Sequence, residues 1–413
     1  MAPADLVIIV HAFMHDQSAP ATSDPAAGRS LAQLRVLVIG SGLIGTSVGL
    51  ALRRHGTDVL LTDHLPERAA RAAARGAGRV WSASAEHVGA LVGAVGGAGA
   101  GAVVPRQKTA EPGKPTVPAG AAADPAVVDH ASINPDLINP GVMDPSLIDH
   151  AMIDGATIDH VVLAVPPSRI GAVLAAWQRR LPAATFSDTG SVKVRPIIDA
   201  QELGADMSRL CGAHPISGRE HSGPDWATAD LFAGRPWVLT PTLETSERAV
   251  RHARLIVSGC GAQVIEMRPE MHDVALGLLS HLPHVVASVV ASRLVGVPDE
   301  IVRLAGPGLW DFTRIAAANA DLWSDIVVAN ASPLSALLAE VVADLGRLQA
   351  ALSALGAGDV NVRSEVEHLF RQGNTGRDRL VTANAGRGIV PAPAPPPVAE
   401  RGTDEERPEA RVP

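Results

Sequence analysis

The stretch Arg35-Val-Leu-Val-Ile-Gly-Ser-Gly-Leu-Ile-Gly-Thr-Ser-Val-Gly-Leu-Ala-Leu52 decides the fold. After Arg35 its first residues form a short, β-branched apolar run, as expected of a buried parallel strand, and its second half has the apolar spacing of a helix. Between them lies Gly40-x-Gly42-x-x-Gly45. Gly40 permits a tight turn, Gly42 lets a pyrophosphate approach the backbone, and Gly45 lets the helix lie close on the strand. Leu43 and Ile44 open the helix, whose unpaired N–H groups would receive the phosphates. Asp58-Val-Leu-Leu-Thr-Asp63 is a second strand, and Asp63 stands 18 residues past Gly45. A carboxylate there accepts hydrogen bonds from ribose hydroxyls and repels a 2'-phosphate, so the expected cofactor is NAD. His64 and Arg68 keep NADP open as an alternative.

The rest of the chain fits a globular protein of more than one domain. Its 413 residues are 46% hydrophobic and 19% charged, too apolar for a disordered chain. The net charge of -8 and the scattered basic residues argue against nucleic acid as a partner. No run of 18 apolar residues passes uninterrupted, so no membrane span is expected, and the N-terminus lacks a basic signal-like segment. Two cysteines, Cys211 and Cys260, allow no Cys-rich metal site and suit a reducing, cytoplasmic setting. Lysine occurs only at positions 108, 114 and 193 among 35 basic residues, which makes Lys193 conspicuous inside its motif.

The expected fold class is α/β: a Rossmann-type, mostly parallel sheet followed by an all-helical C-terminal domain. Residues 1–32 are expected to be a flexible leader, 33–268 the nucleotide-binding domain, 269–380 the helical domain and 381–413 a disordered tail. A Gly/Ala/Pro-rich stretch and a ten-residue near-repeat, about 93–157, interrupt the first domain. The repeat carries adjacent Asp-His pairs, but neighbouring side chains rarely converge on one ion and no copy supplies a closed ligand set, so no metal is expected. A surface excursion between two strands is the expectation, with a partner-binding insert as the alternative. From Pro269 onward apolar residues recur three or four apart almost without relief, with a bend expected at Pro283.

Several strand ends carry chemistry-bearing residues. Val165-Pro166-Pro167 closes one strand where a parallel sheet opens to ligand. Asp188-Thr-Gly-Ser-Val-Lys193 closes the next, and there Ser191 and Lys193 either reach the crevice or belong to an ordinary strand-helix loop with Ser191 as helix cap. His214 precedes Pro215 in a third such motif, where an imidazole could exchange a proton with a substrate hydroxyl at neutral pH. In the helical half, Ser280 and His284 stand four apart on an apolar helix, costly unless they meet a partner or pocket. Arg314, within Asp311-Phe-Thr-Arg-Ile-Ala316, offers a planar fork suited to a carboxylate.

Taken together, VLVIGSGLIGTSVGLAL, LAVPP, DTGSVK, GAHPISGRE, SGPDWATADLFAGRPWVLTP, SHLPH, DFTRIA and LWSDI closely resemble the prephenate dehydrogenases of tyrosine biosynthesis, over about residues 34–380. The resemblance implies NAD-dependent oxidative decarboxylation of prephenate to 4-hydroxyphenylpyruvate. It implies that His214 takes the proton of the ring hydroxyl, that Ser191 orients hydroxyl and nicotinamide, and that Arg314 holds a substrate carboxylate. His284 and Ser280 would line the wall that reads the substrate side chain. Gly40, Gly42, Leu43, Ile44, Gly45, Asp63, Val165, Pro166 and Ser191 would hold NAD. Arg219 stands where relatives often carry Thr or Ser, which leaves arogenate open as an alternative substrate. The resemblance also implies a homodimer through the helical domain. Only 33 residues follow Leu380, so a C-terminal regulatory domain is not expected. A β-hydroxyacid type of dehydrogenase, which needs a lysine in its helical domain, is disfavoured because no lysine follows Lys193. A non-catalytic dinucleotide sensor would leave His214, His284 and Arg314 unexplained.

Overall fold

The computed structural model describes residues 30–81, 158–217 and 222–385; the repeat-bearing insert lies outside them. The described residues form an eight-stranded sheet in the order β3-β2-β1-β4-β5-β6-β7-β8. The strands are β1 Arg35–Ile39, β2 Asp58–Thr62, β3 Arg79–Val80, β4 His160–Leu163, β5 Thr185–Asp188, β6 Leu210–Pro215, β7 Pro236–Thr240 and β8 Gln263–Glu266. All neighbours run parallel except β6 and β7, which pair antiparallel with His214 opposite Val238. β3 is a two-residue edge strand, too short to leave a periodic signal in the sequence. β6 runs through Cys211–His214 instead of ending before them.

Helices cover both faces: α1 Leu43–Arg53, α2 Pro66–Ala74, α3 Pro167–Arg180, α4 Val194–Glu202 and α5 Glu247–Gly259. Alternation along β1 sends Val36 and Val38 into one core with Val48, Leu52 and Trp237, and Leu37 and Ile39 into the other with Leu163, Leu174 and Phe186. A fully buried strand shows no polar alternation, which is why the run 36–39, after the half-buried Arg35, is apolar throughout. Leu31–Gln33, at the end of the stretch expected to be a flexible leader, form a single 3-10 turn, and Leu31 packs into the α1–α5 core.

Next come α6 Pro269–Leu276, α7 Leu282–Ser292, α8 Asp299–Val302, α9 Pro307–Thr313, α10 Ala320–Ala329, α11 Ala331–Gly356 and α12 Arg363–Ala383. The described chain divides into two compact units, one through Val341 and one from Val342 onward. In the second unit α12 continues to Ala383, past Gly373 and Gly376, with Glu367 paired to Arg363 at 3.1 Å and to Arg371 at 3.0 Å along its surface. In the first, the bend expected at Pro283 takes a specific form. Proline has no N–H to offer residue 279, and the backbone opens into a π-helical turn over Gly277–His281, closed by the N–H of Leu282 on the carbonyl of Gly277. The whole run Pro269–Ser292 is long and apolar enough, by length and composition, to cross a membrane, which the sequence count of uninterrupted apolar residues does not register. Its His272, Asp273 and His281 make hydrogen bonds within the protein, and those contacts form part of the candidate site.

Candidate active site

The glycine turn lies where strand order reverses, between β1 and β4, the place at which open α/β sheets form a crevice. Gly40 has φ of +98°, and a side chain there would strike the carbonyl of Ala164. At Gly45 a Cβ would strike the carbonyl oxygen of Gly40, so strand and helix touch at that point. Gly42 differs: nothing lies within 4 Å of where its Cβ would be. It is the N-cap of α1, and no side chain closes the helix end at Leu43 and Ile44. An open backbone surface beside uncapped helix N–H groups fits a pyrophosphate.

Asp63 is buried at the end of β2. Its carboxylate accepts the N–H of Ser41 at 2.6 Å and of Leu65 at 2.9 Å, and His64 Nδ1 lies 2.9 Å from Oδ1. The Asp63 carboxylate therefore pins the glycine turn to the end of β2. Val165 and Pro166 follow β4, Pro166 as the N-cap of α3. Ser168, in the first turn of that helix, donates to Asp325 of α10 at 2.6 Å and ties this loop to the helical region.

In the DTGSVK motif the structure departs from the crevice expectation for Lys193 and from the capping alternative for Ser191. Lys193 is buried, with its ammonium on the carboxylate of Asp188 and on the carbonyl of Ala213 at 2.6 Å. It does not reach into the crevice. Ser191 does not cap α4, because Lys193 occupies the N-cap position. The cap comes from Asp273 of α6, whose two oxygens accept the N–H groups of Lys193 and Val194 at 2.8 Å each. Ser191 is half-buried and follows β5, the strand next to the one that carries His214.

His214 lies near the end of β6, buried, with Nδ1 2.8 Å from Nε2 of His272. The other nitrogen of His272 is 2.7 Å from Oδ1 of Asp273. Burial holds His214 well below the usual imidazole value, helped by the neighbouring His272, Lys193 and His281. The same desolvation pushes His272 down to about 2 and raises the Asp273 carboxyl. At neutral pH His214 is therefore uncharged, as a proton acceptor must be. Neither His272 nor Asp273 follows from the glycine and HPISG motifs. The available signal was an ionisable pair, His-Asp, at the start of an otherwise apolar helix, which burial makes costly unless both are partnered.

Asn330 extends the chain of contacts. Its Nδ2 donates to the carbonyl of Asp273 and to Nδ1 of His281, at 2.8 Å each. His284 lies flat on the ring of Trp323, centroids 3.3 Å apart and planes 12° from parallel. Trp323 belongs to the LWSDI segment and supplies the aromatic surface that fixes His284. Ser280, half-buried, falls in the π-turn, whose wider pitch alters the four-apart facing expected with His284, and the two share no hydrogen bond. Arg314 is exposed and starts the 3-10 turn Arg314–Ala317, which packs against α7, the helix of His284. Arg219 lies outside the described residues. The structure thus joins His214 to the first helix of the helical region, and the turn of Arg314 to the helix of His284. Both cysteines are free and buried, with the Cys211 thiol pushed up to about 12 by burial, so neither is an activated nucleophile.

Residues 141–266 match the family described as prephenate dehydrogenase, nucleotide-binding domain, and residues 268–371 match prephenate dehydrogenase, dimerization domain. A probable prephenate dehydrogenase, NovF, of Streptomyces niveus is 30% identical over 324 residues, covering 78% of this chain and 70% of that protein. A cyclohexadienyl dehydrogenase of Zymomonas mobilis is 35% identical over 199 residues, 47% of this chain and 68% of that protein. Among solved structures, prephenate dehydrogenase from A. aeolicus in complex with hydroxyphenyl propionate and NAD+ superimposes with a TM-score of 0.61 at 22% identity, covering 85% of this chain and all (100%) of that one. Synechocystis arogenate dehydrogenase gives 0.56 at 21% identity, with 84% and 100% coverage. These two likenesses establish the shared fold. By its matched domains and its relatives, the chain belongs to the prephenate dehydrogenase family.

Proposed function

We propose that the chain oxidatively decarboxylates prephenate to 4-hydroxyphenylpyruvate with NAD. The observation that carries this reading is His214, held neutral at the end of a sheet strand and bonded directly to the helical region. Gly40, Gly42, Leu43, Ile44 and Gly45 would receive the pyrophosphate, Asp63 the ribose, and Val165, Pro166 and Ser191 the nicotinamide end. Bound NAD supplies the hydride acceptor. His214 takes the proton of the ring hydroxyl while the carbon bearing that hydroxyl loses hydride. The resulting carbonyl makes the ring carboxylate a vinylogous β-keto acid. The C–C bond to carbon dioxide breaks, its electron pair completes the aromatic ring, and the phenolate oxygen recovers the proton from His214. Hydride loss demands electron release at the hydroxyl, and a base aimed there stabilises the transition state more than the ground state. Arg314 would pair with a substrate carboxylate, Ser191 would orient the hydroxyl, and His284 with Ser280 would face the side chain, where Arg219 would also act.

NADH formation by the purified protein, offered prephenate and arogenate separately, tests the reading. Turnover of prephenate is expected. Turnover of arogenate alone would reassign the substrate, and turnover of neither would remove the activity.

The chain is also proposed to work as a homodimer through the helical region. Leu279, Val295, Leu304, Trp310 and Val328, all in the helical region, are each more than two-thirds exposed, which supports an apolar contact there. Light scattering should give twice the mass of one chain. Two free buried thiols fit a reducing, cytoplasmic location.

A further inference from the structure

We propose that His272 and Asp273 are positioning residues that fix the tautomer of His214, leaving its Nε2 without a proton. The inference rests on the reading of His214 as the base, and it follows from which atoms can donate. Asp273 uses both oxygens to accept backbone N–H groups, from Lys193 and Val194 at 2.8 Å, and these donors support the carboxylate against the burial that raises it. A carboxylate only accepts, so the ring nitrogen of His272 at 2.7 Å, Nδ1, carries hydrogen. His272 is wholly buried and neutral, which leaves its Nε2 a bare acceptor. His214 Nδ1, 2.8 Å from that acceptor, must then donate. A neutral imidazole has one hydrogen, so Nε2 of His214 holds a free lone pair.

That lone pair is available. Nε2 makes no hydrogen bond with any described residue, and it is absent from the sealed, unpartnered nitrogens of the interior, among which His281 Nε2 does appear. Without a partner on Nδ1, a neutral imidazole favours hydrogen on Nε2, the wrong nitrogen for a base at this edge. The same carboxylate caps α4 at the Ser191 loop. One side chain of the helical region thus sets both the protonation pattern of His214 and the start of the helix that follows Ser191. Asn330 holds the carbonyl of Asp273 at 2.8 Å, fixing the relay's far end.

The test compares His272→Phe, which fills the space but offers no acceptor, with His272→Gln, whose amide oxygen can accept from His214. Imidazole nitrogen-15 shifts of the full chain report the tautomer of His214 directly. The wild type should carry hydrogen on Nδ1, His272→Phe should move it to Nε2, and His272→Gln should restore the wild-type pattern. In prephenate turnover kcat should fall about 10- to 1,000-fold in His272→Phe, as for a base in the wrong tautomer, and recover in His272→Gln, with KM for NAD unchanged. A wild-type His214 protonated on Nε2 overturns the proposal even if His272→Phe fails to fold. So does a His272→Phe protein with unaltered tautomer and kcat. An Nδ1-protonated wild type that never turns over prephenate supports the positioning and removes the assigned substrate.

Discussion

The ammonium of Lys193 is buried against the carboxylate of Asp188, five residues earlier in the same strand-helix loop. Asp188 also accepts the N–H of Gly190 at 2.9 Å and that of Ala213 at 3.0 Å, so the pair joins the end of β5 to β6 just before His214. In a chain that otherwise uses Arg almost everywhere, this buried site carries lysine, whose compact ammonium meets the Asp188 carboxylate and the Ala213 carbonyl together.

Removing one partner of a buried pair leaves an uncompensated charge. Lys193→Met is therefore expected to cost about 3–5 kcal/mol of stability. Urea denaturation measures it, and Lys193→Met combined with Asp188→Asn should recover part of the loss. A single variant as stable as the wild type would mean that the pair contributes nothing.

His214→Asn keeps a polar side chain of smaller size at the strand end but cannot accept the substrate proton as an imidazole does. Turnover of prephenate should fall about 10²- to 10⁴-fold. NAD affinity, set at the glycine turn, should hold when measured by fluorescence titration. Equal turnover in the two proteins would take His214 out of the chemistry.

Strands β1 and β2 follow closely from the sequence, because a strand buried on both faces leaves a continuous apolar or β-branched run with sharp ends. The glycine turn is equally legible, since three backbone constraints fall at fixed spacing. What escaped was decided by contacts between distant segments. The turn of Lys193 away from the crevice depends on Ala213, 20 positions away, as well as on the nearby Asp188, and the cap of α4 comes from Asp273, 80 positions away. His272 falls in the same class. Its value comes from His214, 58 residues earlier, and no periodicity records such a pairing. The π-turn lies upstream of Pro283, at Gly277–His281, where Gly277 leaves room for Leu337 and Asn330.

Buried neutral imidazoles make stability depend on pH. In the folded protein His281 is pushed down to about 4, first by burial, and His272 to about 2, against 6.5 for each when unfolded. Each depressed group gives its full stabilisation above pH 6.5 and loses it as pH falls toward its folded value, because the unfolded chain then binds the extra proton. Tm should drop by roughly 5 °C or more between pH 7 and pH 5. His281→Asn, which keeps an acceptor for Asn330, should drop less over the same interval. An identical slope would assign the acid sensitivity to other groups.

The three glycines of the turn should separate structural from binding roles when each is changed to Ala. At Gly45 the new methyl would strike the carbonyl of Gly40, and at Gly40 it would meet the carbonyl of Ala164 in a left-handed conformation of +98°. Both variants should lose stability, by about 1–3 kcal/mol or more, and their nucleotide affinity would fall with it. At Gly42 the methyl meets no atom within 4 Å, and φ is -76°, which any residue adopts. Gly42→Ala should therefore unfold within about 0.5 kcal/mol of the wild type. Its methyl projects into the space proposed for the pyrophosphate, so NAD affinity should still fall tenfold or more, on the order of 1.4 kcal/mol. Calorimetric titration on a protein of unchanged Tm isolates that loss from any folding defect. Undiminished affinity in Gly42→Ala would move the phosphates away from the N-terminus of α1.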